Sequence, residues 1–171
     1  ELDRVTSARR EWNYLTNTSN EEEKLAASVL STNLGWHDST IFTLAKIKAW
    51  DNVEQRFPFA FQDIFERYSK RNKIDVAWSI AIARRESSFA PDARSSANAR
   101  GLMQLLPSTA KYVNKGSVSN SRLYQPKTNI RLGTSYLQYL KKKNHGNEVL
   151  ATASYNAGYH RIKRWLPDDA I

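Results

Sequence analysis

Cysteine is absent from this 171-residue chain, which excludes disulfides and thiolate metal sites. Histidine is scarce. His37, His145 and His160 lie far apart without an H-x-x-x-H spacing, so no structural metal is expected. Glycine and proline number only 6 and 5, against 40% hydrophobic and 11% aromatic residues, a balance that describes a mostly helical globular chain and not a disordered one. No run approaches the roughly 18 apolar residues of a bilayer span, so membrane association is not expected. Acids are outnumbered by bases, 17 to 26, for a net charge of +9. Such a surface attracts nucleic acid, anionic headgroups or an acidic wall polymer. No nucleic-acid motif accompanies it, and the longest basic run, Lys141-Lys142-Lys143, reads as a solvated helix C-terminus. Nucleic acid is therefore not expected as a partner.

The opening Glu1-Leu2-Asp3-Arg4 is charged and shows no signal-peptide pattern, a start that a removed or separately placed leader would equally leave. Leu2, Val5, Ala8, Trp12 and Leu15 recur at helical spacing. The run Thr16 to Asn20 breaks that pattern and supplies caps for a helix carrying Leu25, Ala26, Val29 and Leu30, closed by Gly35. Asp38-Ser39 caps a third helix with Ile41, Phe42, Leu44, Ala45 and Trp50. Helices this short cannot bury their apolar faces alone, and they resemble the tail of a helical-pair array. Arg56-Phe57-Pro58-Phe59 marks a change of segment, dividing the chain into residues 1–55 and 56–171. Helices are expected over about 60–70 and up to Glu86. Residues 90–101 read as loop, and 102–106 as a short extended run stopped by Pro107. A helix opens at Ser108-Thr109-Ala110, and residues 114–125 form another loop. Ile130, Gly133, Leu137 and Leu140 stripe the next helix. Val149–Asn156 and Tyr159–Leu166 follow, the former stopped by Gly158. No alternating segment is long enough for a substantial sheet, so the fold class is all-α.

Glu86 ends the apolar helix Val76 to Ala83 and precedes Ser87-Ser88-Phe89. Ser79, Ile82 and Ala83 lie seven, four and three residues back, on its own helix face. If that face is buried, desolvation disfavours the carboxylate, and the negative end of the helix dipole acts in the same direction. A proton held there can be given to a leaving group. Taken alone, the segment better describes a surface glutamate past a core stripe, beside Arg84 and Arg85.

Two further motifs follow in order, Gly101-Leu102-Met103-Gln104 and Tyr155-Asn156-Ala157-Gly158. With Glu86-Ser87-Ser88 they resemble the catalytic domain of the soluble lytic murein transglycosylases, a lysozyme-like helical fold acting on peptidoglycan. Ala83–Ser87, Leu106–Ala110, Pro126–Ile130 and Gly133–Leu137 also read like segments of that family. Residues 1–55 are similar to the end of the α-superhelical linker domain that precedes the catalytic domain. The resemblance implies Glu86 as the single catalytic acid, with Tyr155 and Ser95 supporting it. It also implies Ser87, Met103, Gln104, Leu106, Asn156 and Ala157 as substrate-binding residues. Met103 and Tyr155 would otherwise read as core filler. No cofactor or metal is implied. The implied partners are peptidoglycan glycan strands and other cell-wall synthesis or degradation enzymes, and the implied location is the periplasm.

The implied reaction needs one carboxyl, because the muramyl C6 hydroxyl serves as nucleophile and leaves a 1,6-anhydro end, whereas ordinary glycosidases use two carboxylates. The nearest downstream acid, Asp92, sits in a Pro-Asp loop with no evident role. Several positions depart from the family pattern. Asn98 stands where glycine is usual, Leu106 where methionine is frequent, Gln125 where an acid is expected, and Tyr159-His160 where proline and glycine are common. Family members also continue past the Trp165-Leu166 region, so the catalytic domain is expected to be truncated here. A goose-type hydrolytic lysozyme and a non-catalytic wall-binding module are the alternative readings.

Overall fold

The structure, a computed structural model, describes residues 5–167. It contains α1 (Val5–Thr18), α2 (Glu21–Asn33), α3 (His37–Lys46), α4 (Val53–Arg56), α5 (Gln62–Asn72) and α6 (Val76–Ser87). These are followed by α7 (Pro107–Asn114), a 3-10 turn (Ser121–Tyr124), α8 (Pro126–Lys143), α9 (Glu148–Ala157) and α10 (Tyr159–Trp165). Among the described residues the only β pairings are isolated bridges, Arg94 with Arg100 and Arg100 with Leu105. The all-α expectation holds. None of the described helices is long and apolar enough to cross a membrane.

The chain divides into two compact units, Glu1–Pro58 and Phe59–Ile171. In the first, α1 runs on through Thr16 and Thr18, whose hydroxyls donate back to the carbonyls of Trp12 and Tyr14. Such bonds let threonine stay within a helix. Asn20 then caps α2 reciprocally with Glu23, each side chain accepting from the other's backbone N–H at 2.9 Å, a capping box. The stripe expected on α2 faces outward in this unit. Leu25, Val29 and Leu30 are exposed, whereas Ala27, Ser28 and Ser31 are buried. Small residues bring α2 close to α3, where the Ser31 and Thr40 hydroxyls meet at 2.7 Å.

On α3, Ile41 and Leu44 are buried but Phe42 is exposed, as is Trp50 beyond the helix. Asp38-Ser39 do not cap α3. They lie in its first turn, and the N-cap residue Trp36 makes no side-chain cap. Asp38 is buried and pairs with Arg9 of α1 instead, because a buried carboxylate gains more from a cation than from a backbone N–H. Leu2 lies outside the described residues.

The second unit is organised around α8, which contacts α5, α7, α9 and the 3-10 turn. Its inward face is Asn129, Ile130, Leu132, Gly133, Thr134, Leu137 and Leu140. The expected stripe of Ile130, Gly133, Leu137 and Leu140 is fully included. Full burial of each large apolar side chain contributes about 1.5–3 kcal/mol. Gly133 faces Met103 so closely that a Cβ there would collide with the Met103 side chain. We therefore expect Gly133→Ala to cost about 1–3 kcal/mol through overpacking, measured as a lowered urea midpoint. A midpoint equal to the parent's would mean that Met103 yields freely.

Of the expected extended run, residues 102–104 form a turn, Leu105 makes an isolated bridge and Leu106 is extended. Gly101 and Gln104 have φ of 73° and 45°, and these left-handed residues turn the chain back on itself. The Arg100 and Leu105 backbones then pair with each other. Pro107 does not interrupt a strand but starts α7 at its first position, where its missing N–H costs nothing. Short elements that the sequence did not announce are α4 and the 3-10 turn inside the 114–125 loop.

Candidate active site

Asp75 starts α6, its carboxylate accepting from the Trp78 N–H at 2.8 Å. Ser79, Ile82 and Ala83 are all buried, so the face that Glu86 shares is the inward one. Helix α6 ends in an unusual way. Ser88 and Phe89 both take positive φ, 51° and 67°, a conformation that costs non-glycine residues energy and persists only where surroundings enforce it. The enforcement is visible. Phe89 is 1% exposed, and the Ser88 and Ala90 N–H groups donate to the Arg84 and Ser87 carbonyls at 3.0 Å. Ser87 Oγ donates across to the Leu102 carbonyl at 2.7 Å. The end of α6 is thus stapled to the 101–106 turn, and Glu86 is held at the junction.

Glu86 opens into a cavity of about 510 Å³ whose wall also includes Ser95, Gln104, Leu106, Tyr155, Asn156 and Ala157. This size falls in the range of small-ligand sites. Glu86, Tyr155 and Asn156 also border a second hollow of about 430 Å³, beside Ile82, Arg85 and Thr152. Glu86 is the only carboxylate among the described residues lining either space. Burial raises its pKa above the usual carboxylate value, and Arg85 opposes the rise more weakly. Among the described residues no cluster of ligating side chains could hold a metal ion.

The hydrogen bonds around Glu86 define what each neighbour can offer. Tyr155 donates its hydroxyl hydrogen to the Met103 carbonyl at 2.7 Å, so only its oxygen lone pairs remain for other partners. Burial, the nearby Glu86 charge and Tyr136 together push the Tyr155 phenol well above its ordinary pKa. Gln104 Nε2 donates to the Ala93 and Gly101 carbonyls at 3.2 and 2.9 Å, which leaves Oε1 as an acceptor for a ligand. Ser95 Oγ accepts from the Ala99 N–H at 3.1 Å, so its own hydrogen is available to donate.

Seven of the nine residues proposed from sequence share the cavity wall. The other two do not. Met103 is fully buried against Gly133. Its backbone serves the site, with its carbonyl on Tyr155 and its N–H donating to Asn129 Oδ1 at 2.7 Å. Ser87 lies behind the wall on the Leu102 carbonyl. The Met103 side chain thus packs on Gly133 and the Ser87 hydroxyl bonds to the 101–104 turn, so neither lines the cavity. Sequence reasoning missed Thr109 and Tyr136 on the wall. Tyr136 lies 5.4 Å from the Tyr155 ring and 6.1 Å from Tyr139. Its i, i+3 spacing to Tyr139 on α8 was the available signal. Tyr112, Tyr136, Tyr139 and Tyr159 line an adjoining cavity that shares Thr109, Tyr136, Ala157 and Gly158 with the first.

Comparison with known proteins places the chain in a family. Residues 63–170 match the family described as Transglycosylase SLT domain, and residues 1–53 match the Soluble lytic murein transglycosylase L domain. The chain is 37% identical over 169 residues to the soluble lytic murein transglycosylase of Escherichia coli K12, covering 96% of this chain and 26% of that protein. Its identity to the Salmonella typhimurium soluble lytic murein transglycosylase is 38%, with the same coverage. Among solved structures it is similar to an inactive mutant of the lytic transglycosylase Slt from Pseudomonas aeruginosa. The TM-score is 0.92 and the identity 37%, over 97% of this chain and 28% of that one. The 70-kDa soluble lytic transglycosylase of E. coli in complex with bulgecin A gives a TM-score of 0.88 at 37% identity, over 94% and 27% of the two chains. The chain thus spans about a quarter of the length of these relatives. With a lysozyme-like helical fold and both segments matched, the chain belongs to the soluble lytic murein transglycosylase family.

Proposed function

We propose that this chain cleaves the β-1,4 bond between N-acetylmuramic acid and N-acetylglucosamine in peptidoglycan without water, leaving 1,6-anhydromuramyl ends. The observation that carries this reading is a lone half-buried carboxyl, with its pKa raised by burial, facing a ligand-sized cavity whose described lining holds no second acid. A two-carboxylate mechanism has no partner for Glu86 in that wall. The relatives' names support the substrate class, and the similar P. aeruginosa structure is that of an inactive glutamate-to-glutamine mutant.

In this mechanism Glu86 first gives its proton to the bridging oxygen. The bond from that oxygen to the muramyl C1 breaks, and the electron pair leaves with the N-acetylglucosamine hydroxyl. The muramyl N-acetyl oxygen stabilises the positive charge at C1. Glu86, now a carboxylate, takes the proton from the C6 hydroxyl of the same sugar as O6 bonds to C1. The proton returns to Glu86, so no water is consumed. Attack from within the same ring gains the proximity advantage of an intramolecular nucleophile. Tyr155 and Ser95 orient the carboxyl and the sugar. Gln104, Leu106, Asn156 and Ala157 form the wall the strand lies against. Residues 1–55 serve as the end of the linker domain and 56–171 as the catalytic domain. The setting is the periplasm, where other wall-synthesis or wall-degrading enzymes are candidate partners.

The acid form of Glu86 is consumed first, so cleavage is expected to fall as pH rises through the raised pKa. A pH–rate profile on soluble murein strands measures this, and a flat profile from mildly acidic to alkaline pH would count against the mechanism. Mass spectrometry of the same digests separates an anhydro end from the reducing end that hydrolysis would leave.

A further inference from the structure

Asn98 occupies the position where the family pattern has glycine, and it does what glycine cannot. Its backbone is left-handed, φ 68°, as a glycine there would be, but it adds a carbonyl oxygen. That Oδ1 accepts from Arg100 Nη2 at 2.7 Å and from Arg94 Nε at 3.1 Å. Arg100 is 8% exposed. Its Nη1 donates to the Tyr124 hydroxyl at 3.0 Å, with the guanidinium 5.5 Å from that ring, and its Nε has no hydrogen-bond partner. Both side chains that accept from this buried cation are neutral, so each of the two oxygens weighs heavily in holding it.

The same residue closes a turn. The Asn98 N–H donates to the Ser95 carbonyl, and the Ser95 N–H to the Ala99 carbonyl, both at 3.0 Å. The Ala99 N–H donates to Ser95 Oγ at 3.1 Å. Ser95 is the first residue of this turn and stands on the wall of the Glu86 cavity. The Ala99 N–H tethers Ser95 Oγ, so the position of this hydroxyl follows that of the turn.

We propose that Asn98 is a positioning residue, clasping Arg94 and Arg100 with one carbonyl oxygen so that the 95–99 turn aims the Ser95 hydroxyl into the Glu86 cavity. The proposal rests on the catalytic reading of Glu86. A glycine here would supply the backbone angle and leave the turn unanchored.

The test compares the chain with its Asn98→Gly, Asn98→Asp, Ser95→Ala and Ser95→Ala/Asn98→Gly variants for kcat and KM on soluble murein strands, and for amide exchange at Ala99. Asn98→Gly is expected to lower kcat roughly tenfold with KM little changed, since small misplacements of catalytic groups cost this order. Asn98→Asp should recover most of the loss, because its carboxylate can hold both guanidinium groups. In the Ser95→Ala background, Asn98→Gly should change kcat less than about twofold, as expected of two residues acting as one unit. A merely structural role would instead give additive losses. Additivity, a parent-like kcat in Asn98→Gly, or an Asn98→Asp variant no better than Asn98→Gly would each overturn the proposal. Exchange at Ala99 should quicken in Asn98→Gly whether or not the chain turns over, and unchanged exchange would overturn it too. Absence of cleavage by the parent chain would sink the reading of Glu86, leaving the exchange result to decide on the clasp.

Discussion

Glu86→Gln is expected to bind glycan fragments about as well as the parent and to cleave them roughly three to four orders of magnitude more slowly, the scale of a lost general acid. Glutamine fills the same volume but has no proton to give and no carboxylate to take one back. Both halves of the proposed reaction therefore fail in one substitution. Retention of even about a tenth of the cleavage rate would remove Glu86 from the mechanism, since general acid–base catalysis is worth far more than that. The same variant carries a second readout, in stability. The folded-state pKa of Glu86 is raised by burial, so between the unfolded and folded values the native state binds the proton more tightly than the unfolded chain does. Stability contributed at this site is then lost as pH rises through that window, and above it the buried charge stands as a penalty. Glutamine does not titrate. The melting temperature of Glu86→Gln should therefore gain on the parent's as pH rises from acid to neutral, and the two should converge at low pH. A difference independent of pH would mean that the carboxyl is not desolvated in solution.

Asn129→Ala should be the most damaging single substitution in the second unit that leaves the catalytic side chains in place. Asn129 is completely buried on α8. Its Oδ1 accepts from the Met103 N–H at 2.7 Å, and its Nδ2 donates to the Arg100 carbonyl at 2.8 Å and the Leu123 carbonyl at 2.7 Å. Alanine leaves the Met103 N–H and the Leu123 carbonyl without that partner, each costing about 1–3 kcal/mol when buried, while the Arg100 carbonyl keeps the Leu105 N–H. A destabilisation of roughly 2–6 kcal/mol is expected on that basis, a large part of the stability of a domain this size. Cleavage should fall as well, in the fraction still folded, because the 101–104 turn carries the Met103 carbonyl that holds Tyr155 and the Gln104 side chain on the cavity wall. Thermal melts and single-turnover rates below the melting range measure the two effects. A melting temperature within a few degrees of the parent's would show that water or a shifted backbone replaces all three bonds.

Much of the architecture was legible from periodicity and punctuation. The α8 stripe, the capping of α2 by Asn20, and the break at Gly158 all depend on residues within one or two turns of each other. The face that Ser79, Ile82 and Ala83 share with Glu86 also follows from helical spacing, whereas its burial comes from the structure. The errors also have a physical pattern. The α2 leucines point away from their own unit, because periodicity reports that a face is apolar and not which neighbour covers it. Asp38 was misread as a cap because its buried ion pair reaches back to Arg9, 29 residues earlier in the chain.

By itself, the sequence determined that this is a helical chain of the lytic transglycosylase family, carrying a carboxyl at the inward end of an apolar helix. It could do so because helix type, caps and motif order are recorded in short-range spacing. Only the tertiary structure decided that Glu86 faces a cavity with no second acid on its described wall. The same is true of Met103 and Ser87 standing behind that wall, and of Asn98 joining two arginines above Ser95. These outcomes turn on contacts between distant segments, such as Ser87 with Leu102 and Tyr155 with Met103, 52 residues apart. Backbone reversals at Ser88-Phe89 and Gly101–Gln104 set the direction of those side chains, and their packing partners lie too far along the chain for local spacing to encode.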